Sequence, residues 1–319
     1  MSAGADRNVT ARVAEPFGHG KVILLGEHAV VYDQPALAAG LSRGLAAVAM
    51  PGTGRLTVPA WQLDVNARDA SSPVARAYAA ILTALAATDL DVTVQADLPA
   101  RAGLGSSAAF AISIARAVAH ARGIAEDVPG VLAAATEAEK IFHGTPSGID
   151  LAAAASGDVG RFERASGWRA IPVLQPMTLC VGLSGRPRDT HAQVAAVRRL
   201  RERTPGVRAV IETMGALVTE GERALGRGDV DELGRLFDVA HGLLAALRVS
   251  TAELEALVHG ARDAGAVGAK LTGAGGGGAV IALAPGHERD VLRRWSEAGF
   301  DGFVTTIGSG GAAKAMASS

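Results

Sequence analysis

The chain has 319 residues, of which 49% are hydrophobic and 20% charged, and its formal net charge is -1. At roughly 150 residues per domain this length suggests two globular domains, and the balance excludes both a disordered chain and a nucleic-acid-coating protein built on excess positive charge. The single cysteine, Cys180, rules out an internal disulfide and a multi-cysteine metal site, which fits a reducing, cytoplasmic setting.

The opening stretch MSAGADRNVTARVAEP mixes both signs of charge around no apolar core, so no signal peptide is expected. Residues 36–50 are apolar but broken by Arg43, short of the ~18 residues that span a bilayer, and no membrane segment is expected. The run KVILL (21–25) ends at Gly26 and predicts a buried strand that delivers Glu27 and His28 at its carboxyl end. Lys21, one of 4 lysines against 27 arginines, reads either as a strand-edge solubility device or as a charge with a task. Residues 92–96 are β-branched and alternating and predict a second strand, 99–107 a loop, and 108–121 a helix. Another helix is expected over 129–142, with Pro129 in its first turn and Gly144 and Pro146 stopping it. Ser147 is the expected N-cap of a helix beginning near Asp150.

A strand-like patch, MTLCVGL, lies between Pro172 and Pro187, and longer charged amphipathic helices follow it. This change of character puts the domain boundary near residue 174, giving domains 1–174 and 175–319. Helices are expected over 191–203, 207–224, 229–247 and 251–264, the last opened by a capping box of Ser250 and Glu253. A glycine run, a strand (AVIALA), a helix over 287–298, a strand (FVTTI) and a disordered tail complete the chain.

Three strings carry candidate chemistry. In ARAGLGSSAAF, residues Gly103, Leu104, Gly105, Ser106, Ser107 and Ala108 stand ahead of a helix; glycines let the backbone approach a phosphate, and a helix start offers free N–H groups and a positive dipole end. The same letters fit the dinucleotide pattern G-x-G-x-x-A, a nucleophile elbow with Ser107 as attacking group, or a helix start packed tightly on a sheet, so the string alone leaves these open. No Walker A string is present, which excludes an ordinary P-loop. In EKIFHGTPSGID, Glu139 closes one helix and Asp150 opens the next; one carboxylate could hold magnesium beside substrate phosphates while the other handles a proton, or the pair could be a solvated Glu and a first-turn Asp. KLTGAGGGGAVIAL fits G-x-G-x-x-G, but a strand-like segment follows where a nicotinamide site needs a helix, which leaves a wide glycine turn. None of the 8 histidines has a metal-ligand spacing, and His28, beside Glu27 at a strand end, is the one to watch.

Taken in order, GKVILLGEHAVVY, GLGSSAA and KLTGAGGGG resemble the GHMP small-molecule kinases over roughly residues 16–284, and GEHAVVY with HGTPSGID is similar to the mevalonate kinase branch of that superfamily. The resemblance implies an α/β (α+β) fold of two domains, the first with a ribosomal-S5-like half and the second ferredoxin-like, with the active site between them. It implies ATP and Mg2+, with GLGSS around the ATP phosphates, Ser107 and Glu139 on the metal, and Asp150 taking the proton of a primary hydroxyl beside Lys21. Mevalonate is the implied acceptor, with phosphomevalonate or a sugar as alternatives. Glu27, His28, Arg164, Thr190 and Gly275 would line its pocket, with Arg161 competing with Arg164 for the acceptor carboxylate. No nucleic acid or membrane partner is implied, and a homodimer is common in the family. Two departures stand out: Leu151 where the family usually has Asn, and Asp158 where a second Gly after Gly157 is common. The first bears on a supporting hydrogen bond, the second on the backbone path to Arg164.

Overall fold

A computed structural model describes residues 16–308, apart from 101, 125–127, 145–146 and 188. The opening stretch read for a leader, the expected tail beyond Gly308 and the helix-stopping Pro146 lie outside the described residues.

In the first half, β1 (Phe17–Leu25), β2 (Ala36–Pro51), β3 (Arg55–Val58), β4 (Leu63–Asn66), β5 (Leu90–Ala96), β6 (Val159–Glu163) and β7 (Gly167–Ala170) form one sheet in the order β4-β3-β5-β2-β6-β7, with β1 antiparallel to β2. The spine is β2, whose 16 residues pair with β1, with β5 through the later half, and with β6 at the start. Arg43, which interrupts that apolar run, keeps its guanidinium half-exposed over the Phe303 ring at 4.4 Å. α1 (Pro73–Ala84), α2 (Ser106–Ala121) and α4 (Ile149–Ser156) lie against this sheet, and α3 (Val128–His143) packs on these helices. α2 covers β1 and β2 and is itself covered by α1 and α3, so it is apolar nearly all round, as a helix enclosed on every side must be. Gly18 makes this close packing possible, because a Cβ there would meet the Ala109 carbonyl oxygen at 2.0 Å.

In the second half, β8 (Met177–Leu183), β9 (Gly268–Thr272), β10 (Ala279–Leu283) and β11 (Asp301–Ile307) form an antiparallel sheet in the order β11-β8-β10-β9. Four helices, α5 (Thr190–Arg203), α6 (Val207–Arg227), α7 (Val230–Ala246) and α8 (Ala252–Asp263), separate β8 from β9, and α9 (Glu288–Glu297) precedes β11. That strand order and the β-α-β-β-α-β succession are those of a ferredoxin-like unit. α7 and α8 pack on β9, α9 packs on β8 and β11, and α6 and α7 also reach β1. One apolar core therefore runs through both halves, with Leu24, Leu25 and Leu37 of the first sheet clustered with Leu179, Phe237 and Ile281.

Two helix starts depart from the sequence reading. α4 is capped by Gly148 at φ 86°, not by Ser147, because the chain enters this helix through left-handed backbone that glycine adopts without steric penalty. α8 is capped one residue later than expected: Thr251 is extended and its hydroxyl accepts from the Leu254 N–H at 3.4 Å, so the cap belongs to Thr251 and not Ser250. Among the described residues no helix is long and apolar enough to cross a membrane.

Candidate active site

Lys21 lies within β1 rather than at its exposed edge, and its side chain is buried. A buried ammonium needs a partner, and Asp150 in the first turn of α4 supplies one, with Lys21 Nζ 2.8 Å from Asp150 Oδ1. The solubility-device reading of Lys21 is therefore excluded. The Lys21 backbone N–H donates to the Leu104 carbonyl at 2.8 Å, which joins β1 to the glycine loop. Gly105 comes so near that a Cβ on it would lie 2.6 Å from Lys21 Cγ, and its φ of 71° is left-handed as well.

Beyond Gly105 the chain enters α2 with no side-chain cap and no acidic residue in the first turn, so neither a capping side chain nor a first-turn carboxylate offsets the positive end of this 16-residue helix. Leu104 and Ala108 turn their side chains into the core and offer only backbone to this end; Ser106 and Ser107 are half-buried. Two readings of the string lose their footing here. The dinucleotide fold needs a parallel β-α-β unit, whereas β5 runs antiparallel to β2 and α2 leads into another helix. The nucleophile elbow needs a histidine that meets serine with one ring nitrogen and an acid with the other; His143 Nε2 lies 3.1 Å from Ser107 Oγ, but the same Nε2 faces Glu139 at 3.7 Å.

Glu139 is the third member of the cluster. Its side chain on α3 is 2% exposed, and Oε1 is buried without a hydrogen-bond partner among the described residues. Burial raises its pKa to about 7, the negative charge of Asp150 adds to the rise, and the Ser107 hydroxyl and the Lys21 ammonium oppose it. α3 and α4 thus bring the two carboxylates to one place, as the spacing suggested.

A second cluster forms where β1 ends. The Glu27 carboxylate pairs with the Lys270 ammonium, with both side chains fully enclosed. Burial pushes Glu27 up and Lys270 down, each opposed by the charge of the other. His28, at φ 59°, places Nε2 2.9 Å from the Ala274 carbonyl oxygen. Next to it, Gly275 has φ 72°, and a Cβ there would lie 2.3 Å from the Val249 carbonyl oxygen. Arg164 is 62% exposed with Nε 3.8 Å from Asp33 Oδ1, whereas Arg161 is held by Glu163 at 2.7 Å and by Thr219 and Glu222 at 3.3 Å each. Thr190 stands exposed as the first residue of α5, behind the Asp189 cap.

Residues 72–158 match the family model for the GHMP kinases N terminal domain, and residues 222–301 the one for GHMP kinases C terminal. A mevalonate kinase of Pyrococcus horikoshii is 34% identical over 314 residues, which cover 90% of this chain and 93% of that protein. A mevalonate kinase of Aeropyrum pernix is 34% identical over 319 residues, 94% of this chain and 98% of that protein. This chain belongs to the mevalonate kinases of the GHMP kinase family. The crystal structure of L. major mevalonate kinase in complex with R-mevalonate superposes on it with a TM-score of 0.82 and 28% identity, covering 92% of this chain and 95% of that one.

Against that GHMP kinase frame the two departures have structural readings. Leu151 is buried in the apolar core, so packing fills the position where a side-chain amide would stand. Gly157 alone makes the left-handed turn that closes α4, at φ 70°, and the Asp158 N–H donates to Ser156 Oγ at 3.1 Å. Two residues of this kinase escaped sequence reasoning. His143 carried a signal, four residues beyond Glu139 and hence on the same helix face. Lys270 carried one as well, a lysine inside an apolar run in a chain with only 4.

Proposed function

We propose that this chain transfers the terminal phosphoryl group of ATP, with Mg2+ bound, to the primary hydroxyl of mevalonate, giving 5-phosphomevalonate and ADP. The observation that carries the reading is the Lys21–Asp150 pair at 2.8 Å, set directly against the glycine turn that opens α2. Phosphoryl transfer asks a protein for positioning and charge neutralisation more than for covalent chemistry. The backbone from Gly103 to Ala108, with Ser106 and Ser107, holds the ATP phosphates at the uncapped end of α2. Mg2+ favours one or two carboxylates beside substrate phosphates, and the unpartnered, buried Glu139 Oε1 next to Ser107 fits that demand, so Ser107 and Glu139 are its proposed ligands. Bound there, the ion would neutralise charge on the transferred group. Asp150 orients the acceptor hydroxyl and accepts its proton late in the transfer, while Lys21 stabilises the developing alkoxide and the migrating phosphoryl charge.

On the acceptor side, His28 and Gly275 border the pocket and Thr190 lies at its α5 edge. Arg164 pairs with the acceptor carboxylate, because Arg161 is already engaged by two carboxylates of its own. Glu27 changes role: with its carboxylate enclosed against Lys270, it supports the pocket instead of touching the acceptor. The domain divide stays near residue 174, between the end of β7 at Ala170 and the start of β8 at Met177. A cytoplasmic location fits the lone buried thiol of Cys180, and a homodimer is carried over from the family alone.

The test is an acceptor panel. Purified protein with ATP and Mg2+, given mevalonate, phosphomevalonate or galactose in a coupled ADP-release assay, should favour mevalonate by about 100-fold or more in kcat/KM. Preference for either competitor would overturn the acceptor assignment.

A further inference from the structure

The carboxyl end of β1 is joined to β9 by a run of polar contacts across the two halves. The Thr272 hydroxyl donates to the Ile23 carbonyl at 3.0 Å and accepts from the Ile23 N–H at 2.9 Å. Lys270 pairs with Glu27 and donates to its neighbour's carbonyl, Leu271 O, at 2.7 Å. His28 follows, with Nε2 2.9 Å from the Ala274 carbonyl oxygen. Residues 270, 272 and 274 are thus each gripped by β1 or by Glu27 and His28, immediately before Gly275.

An ion pair whose side chains are 0% and 1% exposed is a poor choice for stability alone, since desolvating both charges offsets their attraction and apolar residues of similar volume serve a core as well. What such a pair supplies is a unique geometry. We propose that Lys270 is a positioning residue: through Glu27 and His28 it fixes the glycine turn of the second half against the strand that carries Lys21, and so sets the acceptor against the Lys21–Asp150 pair. This rests on the reading that His28 and Gly275 border the acceptor. The nucleotide side is independent of it, because the α2 end is tied to β1 at Lys21, whose own register is held by Gly40 of β2.

The experiment compares Glu27→Gln, Lys270→Met and the double variant with wild type, reading thermal midpoint, kcat, and KM for ATP and for whichever acceptor the wild type uses. Lys270→Met leaves a buried carboxylate without its cation and is the variant most exposed to misfolding; the double variant buries no charge. The expected result is a double variant that melts within a few degrees of wild type, keeps its KM for ATP within about 3-fold, and loses about 100-fold in kcat/KM for the acceptor, the order expected for a small misalignment of reacting groups. A folded double variant with unchanged acceptor kinetics, or with KM for ATP raised by as much as kcat/KM for the acceptor falls, would overturn the proposal. So would failure of all three variants to fold, which would make the pair a requirement of folding. Failure of the acceptor assignment itself shows in the wild-type panel and leaves this comparison readable.

Discussion

Glu139→Gln tests the site through protein stability, without any substrate. The carboxyl of Glu139 titrates near 7 instead of 4.5, first because it is buried and second because Asp150 faces it. A carboxyl that holds its proton more tightly in the folded chain than in the unfolded one favours the fold fully below pH 4.5, and that contribution is lost as pH rises through 7. At 1.36 kcal/mol per pKa unit, the rise from 4.5 to about 7 corresponds to ~3 kcal/mol. The glutamine variant keeps the shape and cannot ionise. Between pH 4.5 and 8.5 the metal-free wild type should therefore lose ~3 kcal/mol relative to Glu139→Gln, or about 6 °C of Tm at ~2 °C per kcal/mol. Scanning calorimetry of both proteins at half-unit pH steps gives the difference directly and cancels the pH dependence they share. In an Asp150→Asn background the step should shrink, because the second cause of the shift is gone. Parallel melting curves for wild type and Glu139→Gln across the whole range would refute the reasoning.

Two further predictions concern turnover. Asp150→Asn should lower kcat by about 10³-fold, within the range of a lost proton acceptor, while nucleotide affinity measured by titration changes by less than about 3-fold. An equal loss of nucleotide affinity would move the residue to the ATP side. Gly105→Ala forces a side chain into φ 71° at a cost of about 1–2 kcal/mol and drives its Cβ into Lys21, whereas Gly123→Ala meets a similar φ of 65° in open space. Both should lose a few degrees of Tm, and only Gly105→Ala should lose turnover; equal activity in the two would detach the glycine turn from Lys21.

What could be read from the sequence was what short-range pattern encodes. β1, α2 and α3 are apolar runs bounded by glycine, and each forms where the pattern puts it, with ends shifted by a few residues. β2 was read only as an apolar stretch, although it is the spine of the first sheet, because ALAAGLSRGLAAVAMP is made of small residues with little β-branched character. β3, β4, β6 and β7 span 4 or 5 residues each, too few for an alternation to show. In the site, Lys21, Ser107, Glu139 and Asp150 were found through strings that hold their chemistry locally. The partnership of Glu27 with Lys270 joins residues 243 apart, and no local pattern reports it. Ser147 lost its capping role to its neighbour because backbone handedness, which the letters do not display, decided the entry into α4.

The bond from the Lys21 N–H to the Leu104 carbonyl is made by main chain on both sides. A link of that kind is indifferent to the side chain at position 104, provided the residue there still fills its apolar slot. The spacing between the glycine turn and the Lys21 amine can therefore survive replacement of Leu104 by another aliphatic residue. Distant sequences can drift at such a position while the distance separating donor from acceptor is inherited unchanged.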